Sequence, residues 1–453
     1  MKKQKEPARA PRALLVSLGC AKNTIDGEQA LAELAEGGFD LTVDMGAADI
    51  VLINTCGFIQ PAREEAEAEI ARALAAKKRR PGLKVVAMGC HAQRRGAELR
   101  RQFPELDGVF GLNVAGTLAA KCRSVLGGKC PCLGFERRKA VPEGARLVST
   151  PASYAYLRLG DGCNNRCAYC AIPLIRGGLK SRPADAVIAE ARALEAQGFR
   201  ELVVIAQDIA AYGADLKGAP SLAELVERML RETAFPRIRL LYAHPAHLRP
   251  ELLRLIGKEP RLCHYLDLPL QHVNSRLLTA MNRHYTREKI DEIYGWIAEY
   301  CPDLVVRSSA IVGFPGETDS EFAELLEFVK AGKLARLGAF IYSAEEGTSA
   351  AKLPGQVPPA VAAARLDALM AAQQQVAFKL LDARIGGTEE ILIDGIREDG
   401  VLSGRGVTEA PEADGEILLP KISAARAEKI LGTGSARVKI TKRLGYDLEA
   451  VLA

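Results

Sequence analysis

The sequence predicts an α/β protein in three parts. An open parallel-sheet domain is expected over residues 12–128, a partial (β/α)6 barrel over 149–375, and a small antiparallel β-barrel of oligonucleotide-binding type over 376–447. Three observations lead there. Apolar runs alternate with helical segments through most of the chain. Three of the early runs each end in a Cys-Gly or Gly-Cys step. A Pro-rich break at 351–360 then gives way to short runs of period-two alternation, punctuated by Gly and Asp. With 453 residues and 48% apolar content, the chain can bury two or three cores.

The first part repeats one unit. Leu14–Leu18 runs into Gly19-Cys20, Ile50–Thr55 into Cys56-Gly57, and Lys84–Met88 into Gly89-Cys90. Helical segments follow at 26–36, 61–79 and 93–101. Steps of 36 and 34 residues between the cysteines match one βαβ unit. Parallel strands bring their carboxyl ends to one edge, where open α/β sheets bind ligands. Cys20, Cys56 and Cys90 should therefore converge. Read as core residues they would be small hydrophobes. Their repeated placement favours ligation; Asn23, Asn54 and Gln93 are near enough to donate hydrogen bonds, and capping or turn roles explain them equally well.

The second part begins at Tyr154–Leu159. Strands are expected at 201–206, 238–243, 264–270, 304–312 and 336–342. Helices are expected near 184–198, 221–234, 249–257, 286–299 and 318–330. In β/α barrels chemistry gathers at the strands' carboxyl ends. The first strand leads to Cys163, Cys167 and Cys170, a C-x3-C-x2-C run with Tyr169 before its last cysteine. A four-iron cluster ordinarily takes four cysteines. Three leave one iron open to bind and reduce a small molecule. A zinc site would pair two C-x2-C halves or add His, and no His lies between 91 and 244. Tyr169, Gln207, Asp208, Arg307, Gly313 and Glu317 are the candidate cofactor contacts. Asp208 as a turn cap and Glu317 as a helix opener are the competing readings. His244 and His272 read as structural, and Cys122, Cys130, Cys132, Cys263 and Cys301 as bystanders.

In the third part a helix over about 359–384 precedes strands at Glu390–Ile393, Gly400–Gly406, Glu416–Leu419 and Ala436–Thr441. Residues 375–453 carry 11 Lys+Arg against 13 Asp+Glu. An RNA-binding barrel is expected to be basic, so this one suits a basic protein. The whole-chain charge of +5 is too small to assign a nucleic-acid partner. The runs Lys77–Arg80, Arg94-Arg95 and Arg100-Arg101 read as solvated helix ends, with RNA contact possible but not required. Eleven cysteines without dense spacing suit ligation in a reducing compartment. No run reaches the ~20 apolar residues of a membrane span, and Met1–Lys5 lacks a following signal core. A cytoplasmic monomer is expected.

The C-x3-C-x2-C run with its aromatic residue resembles the radical S-adenosylmethionine (SAM) superfamily. There the open iron chelates SAM, and reductive cleavage yields a 5′-deoxyadenosyl radical. Over about residues 12–447 the chain resembles the methylthiotransferase family, whose terminal barrel is called the TRAM domain. The resemblance implies SAM and two [4Fe-4S] clusters: a SAM-cleaving one on Cys163, Cys167 and Cys170, and an auxiliary one on Cys20, Cys56 and Cys90 that carries the transferred sulfur. One branch of the family modifies adenosine in transfer RNA. The other modifies an aspartate of small-subunit ribosomal protein S12. Ser17–Asn23, Asn54–Ile59, Ala206–Asp208, Ala211–Gly213 and Tyr342–Thr348 are similar to the ribosomal branch. Ala21 and Ala344 stand where Pro is expected, and Met281–Arg283 is closer to the transfer-RNA branch. The resemblance implies as partners S12, free or in the small subunit, and a low-potential electron donor. The alternatives are transfer-RNA methylthiolation and a non-catalytic iron–sulfur carrier, for which a complete barrel would have no purpose.

Overall fold

A computed structural model describes residues 9–129, 131–136, 138, 140–420 and 422–453; Cys130 lies outside the described residues. The N-terminal domain runs β1 (Arg12–Ser17), α1 (Ala21–Glu36), β2 (Asp40–Leu41), β3 (Ile50–Thr55), α2 (Gln60–Arg79), β4 (Lys84–Gly89), α3 (Cys90–Gln102), β5 (Gly108–Phe110), α4 (Leu118–Leu126) and β6 (Cys132–Leu133). Its sheet, ordered β2-β1-β3-β4-β5-β6, is parallel throughout. The three expected strands are its centre. β3 is buried along its whole length, the pattern of a parallel strand covered on both faces. The helices start earlier than the periodicity suggests: α1 begins at Ala21 with Cys20 as its N-cap, and α3 begins at Cys90 itself. The turns at Cys20 and Cys90 lead straight into helices, while residues 57–59 separate Cys56 from α2.

The central domain runs β7 (Tyr154–Arg158), β8 (Gly160–Asp161), α5 (Ile172–Ile175), β9 (Lys180–Ser181), α6 (Ala184–Ala196), β10 (Glu201–Ile205), α7 (Leu222–Glu232), β11 (Arg237–Leu240), α8 (Pro250–Lys258), β12 (Leu262–Asp267), α9 (Ser275–Ala280), α10 (Arg287–Tyr300), β13 (Val305–Val312), α11 (Asp319–Lys330) and β14 (Arg336–Ile341). Six parallel strands in the order β14-β13-β12-β11-β10-β7 form the partial barrel. Capping boxes, Ser221 with Glu224 and Thr318 with Glu321, start α7 and α11 by satisfying their free amides. One large apolar core lies between strands and helices. A second lines the lumen: Tyr154, Tyr156, Val203, Ile205, Leu241 and Tyr265, joined by Ala21 and Ile25 from α1 and by Ala410.

The long α12 (Pro359–Asp382) leads to a closed barrel, β15 (Thr388–Ile396), β16 (Leu402–Arg405), β17 (Ile417–Leu419), β18 (Ser435–Leu444) and β19 (Asp447–Leu452), with α13 (Ala424–Thr433) between β17 and β18. It is antiparallel except at β17–β19. Val438 and Ile440 point into its core while Arg437 and Lys439 are exposed. This barrel closes the bottom of the central domain. Glu201, fully buried, binds Arg239 at 2.5 Å and Arg405 at 3.0 Å. Tyr154 and Tyr156 donate their hydroxyls to Glu412 at 2.7 and 3.0 Å, and Tyr265 donates to Asp414 at 2.7 Å. Asp394 pairs with Arg405, and Glu409 with Arg336 and Arg384. These contacts correct the charge argument. Asp394, Glu409 and Asp414 are taken up by buried partners, and Glu412, though exposed, is held by two tyrosine hydroxyls, so these acids are not free for a partner.

The N-terminal domain closes the top. Arg63 and Arg94 both bind the buried carboxylate of Glu345, at 2.5 and 2.8 Å, and Arg95 binds Glu346 at 2.7 Å. Arg94 and Arg95 are therefore an interdomain clamp rather than solvated helix ends. Among the described residues, no helix is long and apolar enough to cross a membrane. Burial opposes ionisation of Glu201, but Arg239 and Arg405 hold it below the ordinary carboxylate range. Its contribution should be present above about pH 4.3 and be lost as the pH falls further. Glu201→Ala would leave Arg239 buried without a carboxylate and Arg405 with Asp394 alone, at a cost of about 3 kcal/mol. Denaturant titration and proteolytic release of the tail barrel should both show the loss; an unchanged transition would contradict this interface.

Candidate functional site

Cys20, Cys56 and Cys90 lie at the carboxyl ends of β1, β3 and β4, three adjacent strands. Two glycines permit the approach. Gly19 has φ +90°, and a Cβ there would sit 2.7 Å from the Cys56 Cβ and 3.0 Å from its sulfur. Gly89 has φ +95°, and a Cβ there would sit 2.5 Å from Asn54 Oδ1. Only glycine meets both demands. Asn23 and Asn54 brace these turns through backbone rather than sulfur. Asn23 donates to the carbonyls of Leu18 at 2.6 Å and Asn54 at 3.2 Å, and Asn54 donates to that of Asn23 at 2.8 Å. Gln93 likewise ties the Phe135 carbonyl to the Leu112 amide.

Cys163, Cys167 and Cys170 lie in the loop between β8 and β9, which pair antiparallel at its base. Each sulfur faces a nitrogen donor at 3.5 Å: the Asn165 amide on Cys163, the Ile172 amide on Cys170, and the Arg283 guanidinium on Cys167. The triads are close neighbours. Ala171 and Ile175, just beyond Cys170, pack with Cys90 and Leu112 in one apolar cluster. Arg176, next along, donates to the Cys90 sulfur at 3.2 Å. Burial pushes Cys163 up to about 11 and Cys90 and Cys170 up to about 12. Binding a metal there must displace thiol protons. Six free thiols in two sets, with N–H groups aimed at four of the sulfurs, fit thiolate-held iron–sulfur clusters.

A buried ionic network joins the two sets. Asp26 of α1 accepts from Arg158 at 2.7 Å, Arg176 at 2.7 Å and Arg138 at 3.0 Å. Asp161, two residues before Cys163, accepts from Arg176 at 3.0 Å and Arg138 at 3.1 Å, and Gln207 donates to it at 3.1 Å. Burial alone would raise both carboxyls; the surrounding arginines hold Asp26 well below its ordinary range and Asp161 below it. Lys22, two residues beyond Cys20, projects toward the lumen and lies 3.1 Å above the Tyr242 ring centroid. Burial pulls its ammonium down to about 8. Burial also pushes Asp267, at the end of β12, up to about 6, although Arg307 opposes it.

The other expected contacts divide. Tyr169 is wedged under the triad, its hydroxyl 3.3 Å from Arg283. Asp208 is occupied by four donors: the amides of Ala210 and His244, the Asn165 side chain, and His247. Arg307 faces Asp267 and Asp414 in the lumen. Gly313 has φ +71° and donates its amide at 2.6 Å to Glu317, which also binds Arg365 at 2.7 Å. His272 is fully buried and His244 nearly so. Their Nδ1 atoms accept from Asn274 and Ala246. Cys122, Cys263 and Cys301 are buried away from both sets. Sequence reasoning missed Lys22, Asp26, Arg176 and Arg283. The available signal was position: Lys22 and Arg176 lie within one or two turns of a cysteine motif.

Comparison with known proteins agrees with this architecture. Residues 157–329 match the radical SAM superfamily, 12–111 the uncharacterized protein family UPF0004, and 385–452 the TRAM domain. The chain is similar to the ribosomal protein uS12 methylthiotransferase RimO of Desulforudis audaxviator (42% identity, covering 98% of this chain and 97% of that one). It is similar to the RimO proteins of Geobacter sulfurreducens (39%; 96% and 97%) and Desulforamulus reducens (37%; 98% and 100%). In fold it resembles the radical SAM methyltransferase TsrM of Kitasatospora setae (TM-score 0.52, 17% identity, 73% of each chain). It also resembles the cobalamin-dependent SAM radical enzyme OxsB (TM-score 0.52, 11%; 81% and 56%). The chain belongs to the ribosomal protein uS12 methylthiotransferase RimO family.

Proposed function

We propose that this enzyme replaces a hydrogen on the β-carbon of an aspartate in ribosomal protein uS12 with a methylthio group. The observation that carries the reading is the packing of one three-cysteine set against another: Arg176 and Ala171, just beyond Cys170, touch Cys90. Cys163, Cys167 and Cys170 would hold the SAM-cleaving cluster, and Cys20, Cys56 and Cys90 the auxiliary one. When bound, the clusters and SAM supply a 5′-deoxyadenosyl radical and the sulfur to be transferred. The acceptor methylene is unactivated, which is why a radical rather than a side-chain base must remove its hydrogen.

The protein's own part is placement and shielding. The Asn165 and Ile172 amides and Arg283 offset charge on the first sulfur set, and Arg176 does so for Cys90. Gln207, bonded to Asp161, keeps a buried Oε1 without a partner. That atom is an acceptor for SAM or substrate. Gly313, just after the fifth barrel strand β13, lets α12 pack closely there, since a side chain would meet Ala362 at 2.6 Å. The tail barrel seals the lumen from below. The partners are uS12 and a low-potential electron donor.

Two measurements check this. In a strain lacking the gene, uS12 should lose the mass increment of a methylthio group at one aspartate, while digested transfer RNA is unchanged. Loss from transfer RNA alone would overturn the assignment. Gly89→Ala should misplace Cys90 and lower bound iron by about half, leaving the other cluster's spectrum intact. Cys167→Ala should give the converse spectrum. Full iron occupancy in Gly89→Ala would contradict the auxiliary assignment.

A further inference from the structure

The top of the lumen holds an unusual cation. Lys22 is 8% exposed. The other buried lysines and arginines among the described residues have ion pairs or hydrogen bonds; Arg237 and Arg283, for instance, bind backbone carbonyls. Lys22 makes no hydrogen bond or ion pair: its ammonium lies over the face of Tyr242, with the Cys20 sulfur and the Asp267 carboxylate near enough to act on its charge but not bonded to it. Tyr242 itself takes φ +69°, a left-handed conformation that is strained for a non-glycine residue. That turn puts its ring beneath the ammonium. An ammonium has three donors, and leaving them dry is costly.

Its surroundings are also underfilled. Asp267, 2% exposed, keeps Oδ1 buried without a hydrogen-bond partner, and Gln207 keeps Oε1 so. Cys20 is exposed and Cys56, Cys163, Cys167 and Cys170 are half-buried, so both triads open toward space. The chamber thus offers one unspent cation and two unspent acceptors. A ligand that matches it carries a carboxylate for Lys22 and N–H groups for the acceptors. An aspartate within a peptide has both; an adenine base has no carboxylate.

We propose that Lys22 is the residue that recognises the acceptor: its ammonium pairs with the side-chain carboxylate of the uS12 aspartate. Lys22 lies two residues from Cys20, so this pairing sets the neighbouring methylene beside the sulfur-bearing triad. The positive end of α1, in whose first turn Lys22 lies, adds to the attraction. Specificity for a carboxylate over an amide follows, because an amide would leave the ammonium unpaired. The proposal rests on the function proposed above.

The test is a double-substitution cycle on the cluster-loaded enzyme without reductant, so that only binding is read. Fluorescently labelled uS12 and its acceptor Asp→Asn form are titrated into wild type, Lys22→Met and Lys22→Arg. Wild type should prefer the aspartate form by about tenfold or more. Lys22→Met should lose that preference, Lys22→Arg should recover part of it, and iron content and cluster spectra should not change. Retained preference in Lys22→Met overturns the proposal. So does unchanged binding with an altered auxiliary-cluster spectrum, which would assign Lys22 to the Cys20 sulfur. If wild type binds uS12 yet never methylthiolates it under reducing conditions, the functional reading fails instead.

Discussion

Two buried aspartates hold the molecule's working parts together. Asp26 comes from the N-terminal domain and Asp161 from the barrel, and Arg138 and Arg176 bind both. Arg176 also reaches the Cys90 sulfur. Buried ion pairs often contribute little net stability, because desolvation offsets attraction. Their value here is geometric. Each guanidinium fork accepts only a narrow set of carboxylate positions, so the network fixes α1, the β8 hairpin and the segment after Cys170 against one another. The two cysteine sets inherit that fixed relation.

The remaining interfaces serve the same chamber. Glu345 and Glu346 clamp the N-terminal helices to the last barrel loop. The tail barrel contributes carboxylates to the tyrosines and arginines at the opposite end. Sealing from both sides lowers the local dielectric and keeps water from a reactive radical. It also explains why the tail is acidic in composition. The acid is spent against Arg336, Arg384 and Arg405 of the protein itself, while Arg437 and Lys439 remain outside. Net charge averages over both faces and therefore pointed to a partner for a reason that the fold removes.

Much of this was legible in the chain. Three apolar runs ending in cysteine identified β1, β3 and β4, because parallel strands bury both faces and must turn at one edge. The six barrel strands were legible for the same reason. Short elements were not: β5 and β6 carry too few residues for a period, and β19 follows a two-residue turn within a mixed-polarity run. The cysteines announced themselves by spacing. Lys22, Asp26 and Arg176 did not, since a charged residue on a helix ordinarily faces solvent. Only the docking of α1 onto the barrel turns Lys22 and Asp26 inward and buries Arg176, at the end of α5, against Asp26.

The central claim is that the two cysteine sets, fixed against one another through Asp26 and Asp161, would each hold a cluster beside one chamber. Electron paramagnetic resonance of the fully reduced, cluster-loaded enzyme tests it directly. The account predicts magnetic coupling between two clusters in the wild type, weakened in an Asp26→Asn protein that retains both. Two independent, uncoupled signals in the wild type would contradict it.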